Sequence, residues 1–104
     1  MTYKIFRHKE VEQDLFDIVD LILEYAGLVI AERKLLEIEA SIKNLANTPY
    51  IGTIRDDIFA GCRAIPTARK GVIIFSVDDE KREVFIICIT YAGANWIARS
   101  GQRL

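Results

Sequence analysis

The spacing of apolar residues changes abruptly at Pro49, and this change limits the number of folds that the chain can adopt. Before Pro49, apolar residues recur at every third or fourth position over two successive stretches. That spacing predicts two amphipathic helices, 9–26 and 28–46, joined by a turn at Gly27 into an antiparallel hairpin. Proline cannot continue a helix, so a different kind of structure must follow.

Extended apolar runs take over after Pro49. They predict strands at 61–66, 71–77 and 82–91, and the alternating residues 2–7 predict a short strand at the N-terminus. The polar residues between the last two runs are typical of a turn, so those strands should pair antiparallel. The order β-α-α-β-β-β predicts an α+β fold, with a helical hairpin packed on one face of a small antiparallel sheet.

Length and composition fit a single domain that spans residues 1–104. The 104 residues allow one hydrophobic core, and 51% hydrophobic with 28% charged residues is ordinary for a globular protein. The net charge of −1 gives no sign of nucleic-acid binding, so no direct contact with DNA is expected. No apolar stretch approaches the roughly 20 residues of a membrane span, so no membrane partner is expected.

The two cysteines bear on cellular compartment and on metal binding. Cys62 and Cys88 lie in predicted strands and lack the paired short spacing of a zinc site. The N-terminus carries no signal-type apolar region. We therefore expect a cytoplasmic protein with reduced thiols, and we predict neither a metal ion nor another cofactor.

The last predicted strand is too apolar for a sheet that is covered on one face only. Such a sheet should alternate apolar and polar residues along each strand. Here both alternating sets are apolar. They are Val84, Ile86 and Cys88 on one side, and Phe85, Ile87 and Ile89 on the other. Something must cover the second face, either the chain's own residues 92–104 or a partner protein.

The first helix shows a similar excess of apolar side chains. Phe16, Val19 and Leu23 lie beside its main apolar stripe and widen it well beyond the usual arc of about 100°. These residues either pack under the second helix or form a groove for a partner chain. The same helix carries five carboxylates, which disfavour nucleic acid and suit a partner segment that bears Lys or Arg. They are Glu12, Asp14, Asp17, Asp20 and Glu24.

Three segments carry a resemblance to a known family. They are "IFAGCRAIP" (58–66), "ARKGVIIFSVDD" (68–79) and "EVFIICITYAGANW" (83–96). In this order they resemble the ParE/RelE superfamily of toxins from bacterial type II toxin–antitoxin modules. Gly61 and Arg63 match a Gly-x-Arg motif, Arg69 a basic residue before a strand, and Tyr91 a His or aromatic position. The stretch from Gly93 to Trp96 looks like the closing motif of the ParE branch.

The resemblance implies a toxin of the plasmid-stabilisation type. ParE-like members inhibit DNA gyrase by binding it, and a ParD-like antitoxin neutralises them. On this basis the predicted target-binding residues are Arg63, Arg69, Tyr91, Asn95 and Trp96, and the predicted antitoxin-binding residues are Phe16, Val19 and Leu23. RelE-type members instead cut messenger RNA on the ribosome, so the choice between the two branches decides the mechanism.

The residues favour the ParE branch. RNA cleavage needs a base, an acid and positive charge at the phosphate. The single histidine, His8, lies at the other end of the sequence, and a phenol such as Tyr91 ordinarily has a pKa of about 10. Ala92 and Ala94 stand where a nuclease of this superfamily carries cations. No catalytic residue is therefore predicted, and the chain is interpreted as a non-catalytic inhibitor.

Three questions stay open at the level of sequence. The chain could still be a RelE-type ribonuclease with a degenerate site, or an inactivated relative that only binds its antitoxin. Trp96 could be an anchor in an interface or a plug in the core.

Overall fold

The structure is a computed structural model that describes residues 2–93 and 96–103, without the side chain of Trp96. Its elements, in chain order, are β1 (Lys4–Arg7), α1 (Val11–Ala26), α2 (Leu28–Asn44), β2 (Thr53–Ile54), β3 (Arg63–Thr67), β4 (Gly71–Asp78), β5 (Glu83–Tyr91) and α3 (Trp96–Gln102). The helical hairpin and the strands β3 to β5 confirm the predicted α+β fold. The two-residue β2 and the helix α3 were not predicted.

The turn of the hairpin requires a backbone conformation that glycine adopts far more easily than other residues. Gly27 has φ 87°, in the left-handed region, and its amide donates a hydrogen bond to the carbonyl of Leu23 at the end of α1. Both helices bury one stripe against the sheet, and the fully buried side chains include Ile22 and Ile38. None of the described helices is long and apolar enough to cross a membrane.

The sheet has the strand order β1-β5-β4-β3-β2. Strands β2 to β5 pair antiparallel, as predicted for 71–77 and 82–91. The N-terminal strand β1 instead pairs parallel with β5, with Arg7 opposite Ile86, so the sheet is mixed rather than wholly antiparallel. A parallel pair needs a long connection, and the helical hairpin together with β2 to β4 provides one.

A β-bulge at Ile87 explains why both alternating sets of β5 are apolar. Ile74 of β4 pairs with Cys88, and the next residue of β4 pairs with Ile86, so Ile87 has no partner. One extra residue reverses the alternation that follows it. Val84 and Ile86 before the bulge, and Ile89 and Tyr91 after it, therefore all belong to the core under the hairpin.

The second face of the sheet is covered mostly by the chain itself. Cys62, Ile74, Ile87 and Cys88 form a buried cluster there, with side chains from the β2–β3 loop packed against it. Helix α3 also lies against β4 and β5. The sequence left open whether residues 92–104 or a partner cover this face, and the β2–β3 loop and α3 lie against it.

Candidate functional site

One end of the sheet gathers exposed cations on a strained backbone. The turn between β3 and β4 places Ala68 (φ 50°) and Arg69 (φ 70°) in the left-handed region, and Ala92 after β5 has φ 56°. The amide of Ala92 donates a hydrogen bond of 3.0 Å to the carbonyl of Lys70, which ties the two turns together. Strain of this kind at non-glycine residues is found preferentially at functional sites. We call Arg69, Lys70, Tyr25 and Tyr91 the cationic end.

Tyr91 lies beneath this end rather than on its surface. It is 6% exposed and belongs to the core, and its side chain is hydrogen-bonded to that of Tyr25. Burial, followed by the bond with Tyr25, raises the pKa of Tyr91 to about 12. The Lys70 ammonium stands 5.7 Å from the centre of the Tyr25 ring, within the range of a cation–π contact. A phenol held in this way keeps its proton at neutral pH.

The structure places Arg63 away from Arg69 and Tyr91. Arg63 opens β3, so about 13 Å of strand separates it from the turn that carries Arg69. Its Nη1 donates a hydrogen bond of 3.0 Å to the carbonyl of Tyr50, and its guanidinium lies 5.1 Å from the centre of the Tyr50 ring. Arg63 therefore does not join the cationic end, although both had been predicted to bind one target.

An aspartate beside Arg63 is held by two phenols. Asp79 Oδ1 accepts a hydrogen bond of 2.7 Å from Tyr3 and another from Tyr50. The bond from Tyr50, and then the bond from Tyr3, lower the pKa of Asp79. The Tyr50 hydroxyl has a raised pKa, chiefly because of the same bond. These contacts connect the loop after α2 to the β4–β5 turn, and no local pattern in the sequence indicates them.

The remaining predicted target-binding positions are Asn95 and Trp96. Asn95 and the side chain of Trp96 lie outside the described residues, so whether Trp96 is an anchor or a plug stays open. His8 joins β1 to α1, and its Nδ1 accepts a hydrogen bond of 3.1 Å from the amide of Glu10. Within residues 2–93 and 96–103, no three metal-ligating side chains converge on a possible metal site.

A groove between α1 and α2 contains part of the predicted antitoxin-binding strip. Phe16 is 67% exposed, and it lines a depression of about 400 Å³ together with Val19 and two leucines, Leu15 and Leu35. Leu23 is also exposed, but it lies one turn further along α1 and does not line the depression. We call this depression the hairpin groove. The second helix does not cover it.

Carboxylates border the hairpin groove. Glu12 and Glu39 line it, and both contact Arg7 of β1, at 3.0 Å and 2.7 Å. The hydrogen bond to Glu39 is the main reason that the pKa of Arg7 is raised. Arg7 therefore joins the two carboxylates in an ion-pair network, and together the three side chains leave an excess of negative charge beside the groove.

Asp14 is not one of the surface carboxylates, contrary to expectation. It is 3% exposed, and its two oxygens accept hydrogen bonds from Arg103 at 2.6 and 2.7 Å. Asp14 follows Val11 by three residues and precedes Ile18 by four, so its position falls on the buried stripe of α1. This spacing along the helix was the feature of the sequence that could have predicted the burial of Asp14.

The sequence of the chain matches a known protein family. A family model described as the ParE toxin of the type II toxin–antitoxin system parDE matches residues 5–96. The chain belongs to the ParE toxin family. No curated protein matches the sequence of this toxin at a significant level.

Solved structures show the same fold for this ParE-family toxin. The chromosomal ParDE toxin–antitoxin system from P. aeruginosa matches with a TM-score of 0.73 and 21% identity, over 88% of this chain and 97% of that one. A mutant of the E. coli toxin RelE in the free state matches with a TM-score of 0.63 and 17% identity, over 98% and 96%. The RelBE2 toxin–antitoxin complex from Mycobacterium tuberculosis matches at 0.59 and 17%, over 88% and 100%. At these identities the likeness concerns the fold.

Proposed function

We propose that this ParE-family toxin inhibits DNA gyrase by binding it, without catalysis, and that a ParD-like antitoxin neutralises it in the cytoplasm. Gyrase is the target that the resemblance to ParE-type toxins implies. The main support for a mechanism without catalysis is the environment of Tyr91. The two proposed surfaces, the cationic end and the hairpin groove, lie on different parts of the molecule.

Tyr91 is poorly suited to act as a general base. Its pKa is raised to about 12, and it is buried and bonded to Tyr25. A base that works at neutral pH needs a pKa near the working pH. His8 cannot replace it, because the His8 amide binds the carbonyl of Ile86, and about 16 Å of β5 lies between Ile86 and Tyr91. These positions favour a binding surface over an RNA-cleaving site.

The cationic end has the composition of a contact surface for an acidic region of a protein. Arg69 and Lys70 are both exposed, and the rigid turn that carries them is tied to the segment after β5. Arginine and aromatic side chains are enriched among the residues that dominate protein interfaces. In this proposal Asn95 and Trp96 complete the contact, and Tyr91 supports it from below. Arg63 contributes a second contact further along β3.

The antitoxin is proposed to occupy the hairpin groove. Phe16 and Val19 offer apolar contacts, and Leu23 extends the apolar strip by one turn. The carboxylates of Glu12 and Glu39 border this surface. An amphipathic helix that carries apolar residues on one face and Lys or Arg beside them would match both properties.

Two assays on the purified toxin test the mechanism. We expect inhibition of gyrase supercoiling, and no cleavage of RNA whether free or on ribosomes. Replacing Arg69 by alanine should weaken the inhibition by roughly tenfold or more, as expected for an arginine anchor in an interface. Lys81→Ala is the matched control, because Lys81 is an exposed cation in the β4–β5 turn at the opposite end of β4.

The outcomes separate the alternatives. Site-specific RNA cleavage that is abolished in Tyr91→Phe would indicate a RelE-type ribonuclease instead. Absence of both activities, with a stable antitoxin complex, would indicate an inactivated relative. If Arg69→Ala and Lys81→Ala weaken the inhibition of gyrase equally, the cationic end is not the surface that binds the target.

A further inference from the structure

Arg63 is held in one direction by a single residue of the loop after α2. The carbonyl of Tyr50 accepts a hydrogen bond of 3.0 Å from Arg63 Nη1, and the centre of the Tyr50 ring lies 5.1 Å from the Arg63 guanidinium. That distance is within the range of a cation–π contact. Within residues 2–93 and 96–103, no other hydrogen bond or ion pair engages this guanidinium, so Nε and Nη2 remain able to donate to a partner.

Tyr50 itself is held by contacts from two other parts of the chain. It lies in a loop and exposes 49% of its surface. Its hydroxyl donates a hydrogen bond to Asp79 Oδ1 in the β4–β5 turn, and Tyr3 donates to the same oxygen at 2.7 Å. The ring centres of Tyr3 and Tyr50 lie 6.4 Å apart in an edge-to-face arrangement. Because bonds to a charged oxygen are about twice as strong as neutral ones, Asp79 fixes the hydroxyl of Tyr50 while Arg63 contacts its ring and carbonyl.

Arg63, Tyr50 and Asp79 line one surface depression of about 230 Å³. Among the described residues that line it, Arg63 alone is cationic. A long side chain loses rotamer freedom when a partner immobilises it, and this loss weakens binding. An arginine that is already held in the free protein avoids most of the loss. The contacts to Tyr50 should therefore favour any complex that Arg63 forms.

We propose that Tyr50 and Asp79 are positioning residues that hold Arg63 ready for the target. The inference rests on the proposed function, in which Arg63 makes the second contact with gyrase. Asp79 fixes the Tyr50 hydroxyl, and Tyr50 in turn directs the guanidinium. The N-terminal segment takes part through Tyr3, which shares Asp79 Oδ1. Neither Tyr50 nor Asp79 has to touch the target in this arrangement.

NMR of the Arg63 side chain in the free toxin tests the arrangement without any target. In the unaltered toxin, the Tyr50 ring should shift the Nε–H resonance of Arg63 away from its position in an unstructured peptide, and relaxation should show a rigid side chain. Tyr50→Phe keeps the ring but loses the bond to Asp79, and Asp79→Ala releases both phenols. Each change should move the resonance toward the unstructured position and increase the mobility of Arg63.

The matched control is Glu80→Ala, which removes a neighbouring exposed carboxylate of the same turn and should leave Arg63 unchanged. The double variant of Tyr50→Phe and Asp79→Ala should be no worse than Asp79→Ala alone, because both changes remove the same bond. If Arg63 stays rigid in both single variants, or if Glu80→Ala releases it equally, the proposal is refuted. The amide resonances of α1 should stay unchanged. If they shift as well, the two residues support the fold rather than Arg63, and the proposal is again refuted.

Inhibition of gyrase supplies the functional readout. Arg63→Ala should weaken inhibition by roughly tenfold or more, as expected for an arginine in an interface. Tyr50→Phe and Asp79→Ala should weaken it by roughly two- to tenfold, because one side chain must then be immobilised during binding. Added to Arg63→Ala, neither change should weaken inhibition further. A further loss would show that Tyr50 and Asp79 act by another route than Arg63, contrary to the proposal.

The positioning role and the proposed target can fail separately. If the unaltered toxin does not inhibit gyrase while the NMR results hold, Tyr50 and Asp79 do hold Arg63 and the proposed target is wrong. If the toxin inhibits gyrase, but Tyr50→Phe and Asp79→Ala release Arg63 without weakening the inhibition, the positioning role is wrong and the proposed target stands.

Discussion

Replacing Phe16 by aspartate should separate binding of the antitoxin from folding of the toxin. Phe16 exposes 67% of its surface, which for a side chain of roughly 200 Å² leaves about 130 Å² open to a partner. Covering that area at about 25 cal/mol per Å² contributes roughly 3 kcal/mol to binding. An aspartate would forfeit this contribution and would also place an unpaired carboxylate in an apolar groove.

The expected loss of affinity is therefore large. A loss of roughly 3 kcal/mol corresponds to about a 150-fold weaker complex, and the buried carboxylate should weaken it further. Folding should suffer much less. Only about 70 Å² of Phe16 is buried in the free toxin, so its free energy of unfolding should fall by no more than about 2 kcal/mol.

The assay measures how three variants of the toxin bind the proposed antitoxin. Isothermal titration gives the affinity, and urea denaturation gives the stability of the free toxin. Val29→Asp is the matched control, since Val29 is 70% exposed on the same hairpin but does not line the groove. Leu15→Ala marks the cost of damaging the core, about 2 to 5 kcal/mol for a leucine that is 5% exposed.

Two results would refute the reasoning. Phe16→Asp could destabilise the toxin as strongly as Leu15→Ala does, with unchanged affinity per folded molecule, and the strip would then belong to the core. Val29→Asp could weaken the complex as much as Phe16→Asp does, and the loss would then reflect added negative charge rather than the groove.

Three further predictions concern the fold. The pKa of Tyr91 is raised to about 12 in the folded toxin, against about 10 in an unfolded chain. Between about pH 10 and 12 the unfolded chain therefore loses this proton more readily, so ionisation of Tyr91 should lower the free energy of unfolding in that range and leave it unaffected below pH 10. Denaturation curves of Tyr91→Phe, measured over the same pH range, should lack that part of the fall. Burial raises the pKa of both cysteine thiols, that of Cys88 to about 11, so alkylation near pH 8 should be slow until urea unfolds the toxin. Gly52→Ala should cost at least about 2 kcal/mol in thermal denaturation, since φ is 88° and an added Cβ would clash with the side chain of Ile65. The control Gly101→Ala, where an added Cβ meets nothing, should be neutral or stabilising.

The long elements could be predicted because their signals are local. The period of apolar residues predicted both ends of α1, α2, β4 and β5 to within two residues. The parallel pairing of β1 could not be predicted, because residues 2–7 indicate a strand but say nothing about its neighbour. Helix α3 is short, and Gly101 together with several polar residues hides its apolar face.

Among the residues predicted to bind the target, Arg69 and Tyr91 are brought together because strand pairing enforces their proximity. Thr67 pairs with Gly71, and Gly71 pairs with Tyr91, so the turn with Arg69 necessarily lies beside the end of β5. No local pattern indicates that Arg63 would sit elsewhere with Tyr50, and none pairs Asp14 with a residue 89 positions away. Such contacts depend on tertiary packing, which the sequence pattern does not record.

The bulge at Ile87 changes which surface a partner has to cover. The apolar run in β5 had suggested a partner on the sheet, but the chain closes most of that face itself, so the large apolar side chains left exposed are concentrated on the hairpin. Phe16, Leu28, Val29 and Leu36 each expose more than 60% of their surface. α1 contains no lysine or arginine, and four of its carboxylates are exposed. Two copies of the toxin meeting through this surface would bring like charges together, which is costly. A basic, amphipathic partner in the hairpin groove would bury Phe16 and neutralise the carboxylates beside it, so it fits this surface better than a second copy of the chain.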